Sequence, residues 1–222
     1  MQIDTLTLMA ADLSAQHAFY ANTLGLELVE RAADRVTFQA GRSLLTFRRQ
    51  PTFQGCAHLA LDIPRNRVDG AEAWLRARVP LLADPAGVSR FSLSEGWNSE
   101  SLYFEDAAGN ILEFIARRDL PGDRAAAFSP ASILHVSELG VVVPDVRATA
   151  SALERRFGLR PFGDHSDTFA PVGDQGGLLI VVRAGRGWFP VGRPAAPVPF
   201  EITFSQDGAS RRLQHRDLPE RP

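Results

Sequence analysis

The sequence predicts an α+β fold built from a repeated unit of one strand, one helix and several further strands. The pattern recurs at intervals of roughly 55 to 70 residues, the length of a supersecondary module. Within each unit an alternating or apolar strand comes first, and a helix with apolar residues at helical spacing follows. Short extended segments separated by turn residues complete the unit. The sequence contains three such units and the start of a fourth.

The first unit begins with an alternating strand at 3–8 and continues with a helix capped by Asp12 or Ser14. Gly25 ends this helix, because glycine accepts the left-handed backbone conformation that follows many helices. Further strands are expected at 27–31, 35–39 and 43–47.

The second unit repeats this order from His58 onward. A strand at 58–63 precedes a helix that includes Val68 and Leu75 and ends near Pro80. Later strands are expected around 81–88, at 101–104 and at 111–116. The turn Asp-Ala-Ala-Gly-Asn joins the last two strands, since glycine and asparagine tolerate positive φ.

A third unit and the beginning of a fourth follow a stretch rich in proline, alanine and charge at 118–131, which we interpret as a linker. The expected elements are a strand at 138–143, a helix from Asp145 to Gly158 and a strand at 177–182. The segment 199–204 is similar to the first strand of another unit, after which the sequence becomes polar. Residues 132–207 therefore hold a third unit and a partial fourth, and 208–222 are expected to form a flexible tail.

Composition narrows the function classes. The 222 residues have a formal net charge of −2 with both signs mixed, so nucleic acid is not an expected partner. The N-terminus lacks the pattern of a signal peptide and no apolar run approaches the ~18 residues of a membrane span, which predicts a cytoplasmic protein. The single cysteine, Cys56, excludes an internal disulfide and a thiolate metal cluster. A bound metal would therefore be held by imidazole and carboxylate groups.

Three stretches carry a resemblance to a known superfamily. They are 19–26 (FYANTLGL), 103–114 (YFEDAAGNILEF) and the later echo at 143–145 and 156–159 (VPD and RFGL). The second is the most specific, because a Tyr-Phe-x-Asp-x-x-Gly-Asn-x-x-Glu run usually forms the last hairpin of a module. In these stretches the chain resembles the vicinal oxygen chelate superfamily, which includes glyoxalases, bleomycin-resistance proteins and extradiol dioxygenases.

The resemblance implies that two βαβββ modules pair to close a curved sheet. The result would be a cup with helices outside and a ligand or metal inside. Residues 1–117 are then expected to form the main cup as one complete pair, and 132–207 would be a truncated second half.

Residue parity gives independent support, because successive strand residues face opposite sides of a sheet. One face is apolar and suited to pack under helices: Leu6, Leu8, Leu59, Leu61, Leu112, Phe114, Leu139, Val141 and Val143. The other face is smaller or more polar: Thr5, Thr7, His58, Ala60, Asp62, Ile111, Glu113 and Ile115. His58 and Glu113 project into the same cup if their strands are close.

By resemblance to the ring-cleaving dioxygenases, His58 and Glu113 match two of three metal ligands. Thr5 stands at the position of the third, so waters, substrate oxygens or further side chains such as Gln39 and Asp62 would complete the shell. Iron, manganese, zinc, nickel or cobalt would suit these donors. The alternative is a buried hydrogen-bonded His58–Glu113 pair without metal, since a buried carboxylate must be paired or neutralised.

Other residues are weaker candidates. Glu138 occupies the first-strand position of the third unit and is interpreted as belonging to a second cup, as a functional or a structural acid. Tyr103 and Trp97 could line a pocket for a flat aromatic molecule or pack in the core. His135 precedes the third-unit strand and is expected to be solvated.

Two function classes follow. The first is a mononuclear metal enzyme similar to extradiol dioxygenases and glyoxalases, with His58 and Glu113 as ligands. The second is a binding protein similar to bleomycin-resistance proteins, which holds a small molecule without chemistry in a degenerate metal site. A small-molecule ligand is the expected partner in both. The unpaired edge of a half-built fourth module would be covered by the chain's own tail or by another subunit of a homo-oligomer.

Overall fold

The computed structural model describes residues 1–94 and 96–219. In these residues the strands are β1 Gln2–Ala10, β2 Glu27–Arg31, β3 Arg35–Ala40, β4 Ser43–Arg49, β5 His58–Asp62, β6 Arg90–Leu93, β7 Ser99–Glu105, β8 Ile111–Arg117, β9 His135–Val143, β10 Phe169–Asp174, β11 Gly177–Arg183, β12 Gly187–Trp188, β13 Arg193–Pro194, β14 Phe200–Gln206 and β15 Ala209–Gln214. The helices are α1 Leu13–His17, which continues as a π-helix over Ala18–Thr23, α2 Val68–Arg76 and α3 Val146–Phe157. The predicted α+β fold of βαβββ modules is confirmed.

Two sheets organise the described chain. The first has six strands in the order β15-β14-β1-β4-β3-β2, and the second has seven in the order β10-β11-β9-β5-β8-β7-β6. In each of the first three modules the first strand runs parallel to the last strand, as in β1–β4, β5–β8 and β9–β11. In the third module the described residues form no strand between the helix and β10. A single isolated β-bridge, between Pro161 and Val172, stands in its place.

The pairing of modules differs from the prediction that residues 1–117 form the main cup. The second module joins the third through antiparallel β5 and β9, and the first joins the partial fourth through antiparallel β1 and β14. All these first strands share the same alternation of apolar and polar residues. Alternation determines which face of a strand is buried, but it does not determine which strand edge meets which partner.

The predicted parity of the strands agrees with the packing. The apolar face contributes to one large core shared by both sheets and the helices, which contains Leu6, Leu59, Leu112, Phe114 and Leu139. The opposite face of the second sheet forms a smaller cluster with Tyr103, Ile111 and Ile180. The second sheet is therefore buried on both faces, with helices on one side and a cup on the other.

Capping residues begin α1 and α3 as predicted, whereas α2 has no side-chain cap and ends at Arg76, before the expected Pro80. The Asp12 carboxylate accepts hydrogen bonds from the first turn of α1, and Asp145 does the same for α3. Gly158 ends α3 in the left-handed conformation with φ of 73°.

Three local predictions were wrong. Residues 81–88 are irregular, and the outer strand of the second module lies at β6 instead. The tail is ordered at 209–214, because β15 pairs with β14 and buries Leu213. Residues 220–222 of the predicted tail lie outside the described part. His135 is buried in β9, where its ring nitrogens contact Arg42 and the Gly176 carbonyl oxygen.

Between 118 and 129 the chain forms neither helix nor strand. Within the described residues, the helices are too short or too polar to cross a bilayer.

Candidate metal centre

A row of four side chains crosses the middle of the second sheet. Glu138 on β9 is the register partner of Ala60 on β5, which is the partner of Glu113 on β8, which in turn is the partner of Tyr103 on β7. Adjacent strands lie about 4.8 Å apart. The methyl group of Ala60 leaves open space between the two carboxylates, on the face that the sequence predicts to be the cup.

His58 lies two residues before Ala60 on the same face of β5. Its Nδ1 is 3.2 Å from the Ile111 carbonyl oxygen, and its Nε2 is 3.7 Å from Glu113 Oε2. Because a carbonyl oxygen only accepts hydrogen bonds, Nδ1 carries the proton and donates it. Nε2 therefore keeps a free lone pair, which is the arrangement found in most metal-ligating histidines.

The three side chains converge on one point. One ligand atom each from His58, Glu113 and Glu138 lies within 4.8 Å of the other two, and all three side chains are buried. One imidazole and two carboxylates form a donor set suited to zinc, iron, manganese, nickel or cobalt. The residues present therefore fit a divalent cation.

The electrostatics of these groups indicate an excess of buried negative charge. Burial and, to a smaller extent, the neighbouring Glu138 carboxylate raise the pKa of Glu113 to about 8. Burial also raises the pKa of Glu138 and lowers that of His58 to about 4. Each shift reflects the cost of a charged form removed from water, and a divalent cation would offset that cost for both carboxylates.

Arg117 supplies a buried countercharge beside the cluster. Its side chain is fully buried at the end of β8, and its guanidinium donates to Glu138 Oε1. Within the described residues its Nε and Nη1 have no hydrogen-bond partner. Burial raises the pKa of nearby Asp62 to about 7, against the opposing effect of Arg117. Arg117 thus lowers the cost of negative charge on three buried carboxyl groups, those of Glu138, Glu113 and Asp62.

The cluster forms the floor of a cavity of about 210 Å³. Trp97 and Tyr103 line it, where the sequence places a candidate aromatic pocket. The remaining lining residues are His58, Leu93, Glu113, Ile115, Glu138, Phe169, Ile180, Arg186, Trp188 and Phe189. Tyr103 and Phe189 pack edge to face with ring centroids 5.3 Å apart. The cavity is thus an aromatic chamber with a polar floor.

A segment that we call the strap, residues 184–198, covers this chamber and includes the β12–β13 hairpin. Trp188 packs on His58 with ring centroids 5.2 Å apart. Gly140 makes this possible, because a Cβ there would lie 2.6 Å from the Trp188 ring. Arg193 anchors the strap by donating to the Gly109 carbonyl oxygen at 2.6 Å and pairing with Glu105.

Two candidate shell residues lie elsewhere. Thr5 belongs to the first sheet, where its hydroxyl is 2.8 Å from that of Thr203. Gln39 also belongs to the first sheet and donates to the Gly41 carbonyl oxygen at 2.8 Å. Both expectations depended on pairing the first module with the second. Asp62 lies next to the cluster, close enough for Arg117 and Glu138 to affect its pKa.

Glu138 is the main correction at the site. The sequence assigns it to a second cup, whereas β9 places it beside His58 and Glu113. Its seven-residue spacing to Asp145 correctly places it on the first strand of its module, and the missing information is the β5–β9 pairing. Arg117 faces the same side of β8 as Glu113, but it lies next to the linker, and alternation alone does not mark it as a site residue. No motif indicates Trp188 or Arg186.

Solved structures of other proteins share this fold. Neither protein-family models nor the sequences of characterised proteins match the chain. Among solved structures, a candidate dioxygenase from Bacillus subtilis is similar, with a TM-score of 0.61 and 20% identity over 82% of this chain and 63% of that protein. A variant of glyoxalase I from Zea mays has a TM-score of 0.56 and 14% identity over 82% of this chain and 67% of that protein.

The chain has the vicinal oxygen chelate fold. The resemblance found in the sequence is thereby confirmed at the level of the fold. The chain spans 63% of the length of the Bacillus subtilis protein. At these identities the likeness extends to the fold alone, so an argument for function depends on the site.

Proposed function

We propose that the chain binds one divalent metal ion through His58, Glu113 and Glu138 and uses it to hold a small molecule with neighbouring oxygen atoms. The observation that carries the proposal is the convergence of three buried ligand atoms within 4.8 Å at the floor of a cavity. Three protein donors leave open positions, as in mononuclear sites that bind substrate directly.

A metal ion at this site would supply Lewis acidity, which lowers the pKa of a coordinated hydroxyl and polarises a carbonyl. The chain's own residues would prepare that chemistry. His58 presents Nε2 because the Ile111 carbonyl oxygen holds the proton on Nδ1. Arg117 orients Glu138. The aromatic walls, including Tyr103 and Trp97, suit a flat ring and exclude water from it.

A second candidate function is binding without chemistry, and the Arg117–Glu138 ion pair favours it. This pair neutralises one carboxylate without a metal. A proton on Glu113, whose pKa is raised to about 8, would neutralise the other at neutral pH. The cup would then be an aromatic pocket with a hydrogen-bonding floor.

Metal analysis tests the first proposal. Untagged protein is produced with iron, zinc, manganese, nickel or cobalt added, and its metal content is measured by mass spectrometry. We expect about one ion per chain in the wild type and a loss of most of it in His58→Ala, Glu113→Gln and Glu138→Gln. His165→Ala is the control, because His165 is exposed on a loop. Wild-type protein that retains no metal would contradict the proposal.

Catechol separates the enzyme from the binding protein once a metal is established. Ring cleavage in air produces a coloured product, whereas binding alone changes tryptophan fluorescence without colour. Trp188 contacts His58 and serves as the reporter.

A further inference from the structure

Arg186 on the strap lines the same cavity as the metal cluster, yet it differs from the other arginines near the site. Arg117 is paired with Glu138, and Arg193 is paired with Glu105. For Arg186 the described residues supply no carboxylate oxygen within 4.0 Å. Within the described residues its guanidinium makes one long hydrogen bond of 3.4 Å, to the Gly187 carbonyl oxygen.

An aromatic ring holds the Arg186 guanidinium in place. The guanidinium carbon lies 4.7 Å from the centroid of the Phe169 ring on β10. Stacking on a ring face leaves the N–H edges of the guanidinium free to donate. Partial burial lowers the pKa of Arg186, which indicates a cation removed from water without full compensation.

The position of Arg186 relative to the cluster limits the size of a ligand that could reach both. Phe169 belongs to β10, which is separated by β11 from Glu138 on β9. Phe169 is level with Val142, four residues along β9 from Glu138, so two strand spacings and four residues of rise separate the two Cα positions by roughly 16 Å. The Arg186 and Glu138 side chains both line the cavity between these positions. A ligand with one aromatic ring, an acidic group on one side and oxygen atoms on the other could bridge the gap that remains between the two side chains.

We propose that Arg186 binds a carboxylate of the ligand, so that the substrate class is a small aromatic carboxylic acid whose other end faces His58, Glu113 and Glu138. The planar guanidinium matches a carboxylate through two parallel hydrogen bonds. The inference deepens the proposed function and depends on it for the oxygen-bearing end of the ligand. The acidic end is recognised by the strap alone.

A matched pair of probes tests the inference. The probes are 3,4-dihydroxybenzoate and 3,4-dihydroxybenzamide, which differ in the charge of one group. Dissociation constants are measured by tryptophan fluorescence and calorimetry, with metal-loaded protein and again after chelation. We expect wild-type protein to prefer the acid by about tenfold, the size of a charged hydrogen-bonded pair.

Arg186→Gln should remove this preference, because it should weaken binding of the acid much more than binding of the amide, whose uncharged carbonyl oxygen gains less from the guanidinium. Arg183→Gln is the control, because Arg183 is an exposed arginine three residues earlier that does not line the cavity. The thermal midpoint of each variant verifies that it is folded. Comparison of the two probes in the same protein cancels the effects of the cavity walls that both probes share.

The outcomes separate this inference from the proposed function. Equal binding of acid and amide to the wild type, or binding of neither, overturns the role of Arg186, as does a preference that survives in Arg186→Gln. A preference for the acid that needs no metal supports the inference and contradicts the metal-dependent function. A preference that appears with metal in place supports both.

Discussion

At the scale of single residues, the site combines several buried carboxyl groups with one nearby buried guanidinium, that of Arg117. Arg117 faces Glu138 directly and affects Glu113 and Asp62 from a greater distance. Removing one partner of a buried ion pair leaves an uncompensated charge, which costs more than the pair contributes. The free energy of folding therefore depends strongly on Arg117.

Arg117→Met should lower the free energy of unfolding of metal-free protein by about 3–5 kcal/mol. The double variant Arg117→Met/Glu138→Gln should recover part of the loss, because it removes the orphaned carboxylate along with its partner. Urea unfolding of both variants measures the difference. A loss below about 1 kcal/mol in the single variant would show that Glu138 is already neutral in the wild type.

The raised pKa values predict a pH dependence in the absence of metal. The pKa values of Glu113 and Asp62, about 8 and about 7, exceed the usual range of carboxyl groups. The folded protein then binds more protons than the unfolded chain, and the free energy of unfolding falls as pH rises towards 8. The lowered pKa of His58, about 4, acts in the opposite direction, but only below its usual value of 6.5.

The interval from pH 6.5 to 8 isolates the carboxyl groups. Urea unfolding in the presence of a chelator should show a decrease across this interval, and Glu113→Gln should make it shallower. Saturating divalent cation should weaken the dependence, because it stabilises the carboxylate form. Stability that rises over the same interval would contradict the assignment of the cluster.

At the scale of elements, much of the fold could be predicted, because local patterns determine it. The helix caps at Asp12 and Asp145 and the alternation of β5 and β8 predict where elements begin and which face they bury. The β5–β9 pairing joins residues about 80 positions apart in sequence, and no local pattern encodes such a partner. His58 and Glu113 belong to one module and were predicted, whereas Glu138 needs the neighbouring module.

The strap shows a further limit of local patterns. Gly140 resembles an ordinary strand glycine in the sequence, although it receives the Trp188 ring that covers His58. Close packing of this kind depends on two segments that have no shared motif.

Gly140→Ala should displace Trp188 and lower the free energy of unfolding by about 1–3 kcal/mol through overpacking. A changed tryptophan emission spectrum should accompany the loss. Gly70→Ala is the control, because it makes the same chemical change in α2, where the new Cβ would lie 3.1 Å from Phe128 Cβ. Its cost should be smaller than that of Gly140→Ala, since the contact is less close and alanine favours helix. Equal effects of both substitutions would contradict the proposed contact.

At the scale of the whole molecule, β14 near the end of the sequence pairs with β1 at its beginning. The first module pairs with the partial fourth, and the second pairs with the third, so the site lies in the sheet built from the middle of the sequence. β14 continues the first sheet at the edge of β1, far from β1 in sequence. The two sheets share one apolar core, which couples the site to the folding of the entire chain.

A disulfide between β1 and β14 tests this pairing. The Thr5 and Thr203 hydroxyls are 2.8 Å apart, so Thr5→Cys/Thr203→Cys in a Cys56→Ser background should oxidise readily. The crosslink would close a loop of nearly the whole chain and stabilise it by about 4–5 kcal/mol. Non-reducing gels and thermal unfolding with and without reductant measure the effect. Two free thiols after oxidation would contradict the register that places Thr5 opposite Thr203.

The central claim is that His58, Glu113 and Glu138 form one metal site between the second and third modules. Anomalous X-ray diffraction at the absorption edge of the added metal tests it most directly. The predicted result is one strong peak within about 2.0–2.3 Å of His58 Nε2 and of an oxygen of each glutamate. A saturated crystal with no peak there, or with the metal held by other residues, would contradict the claim.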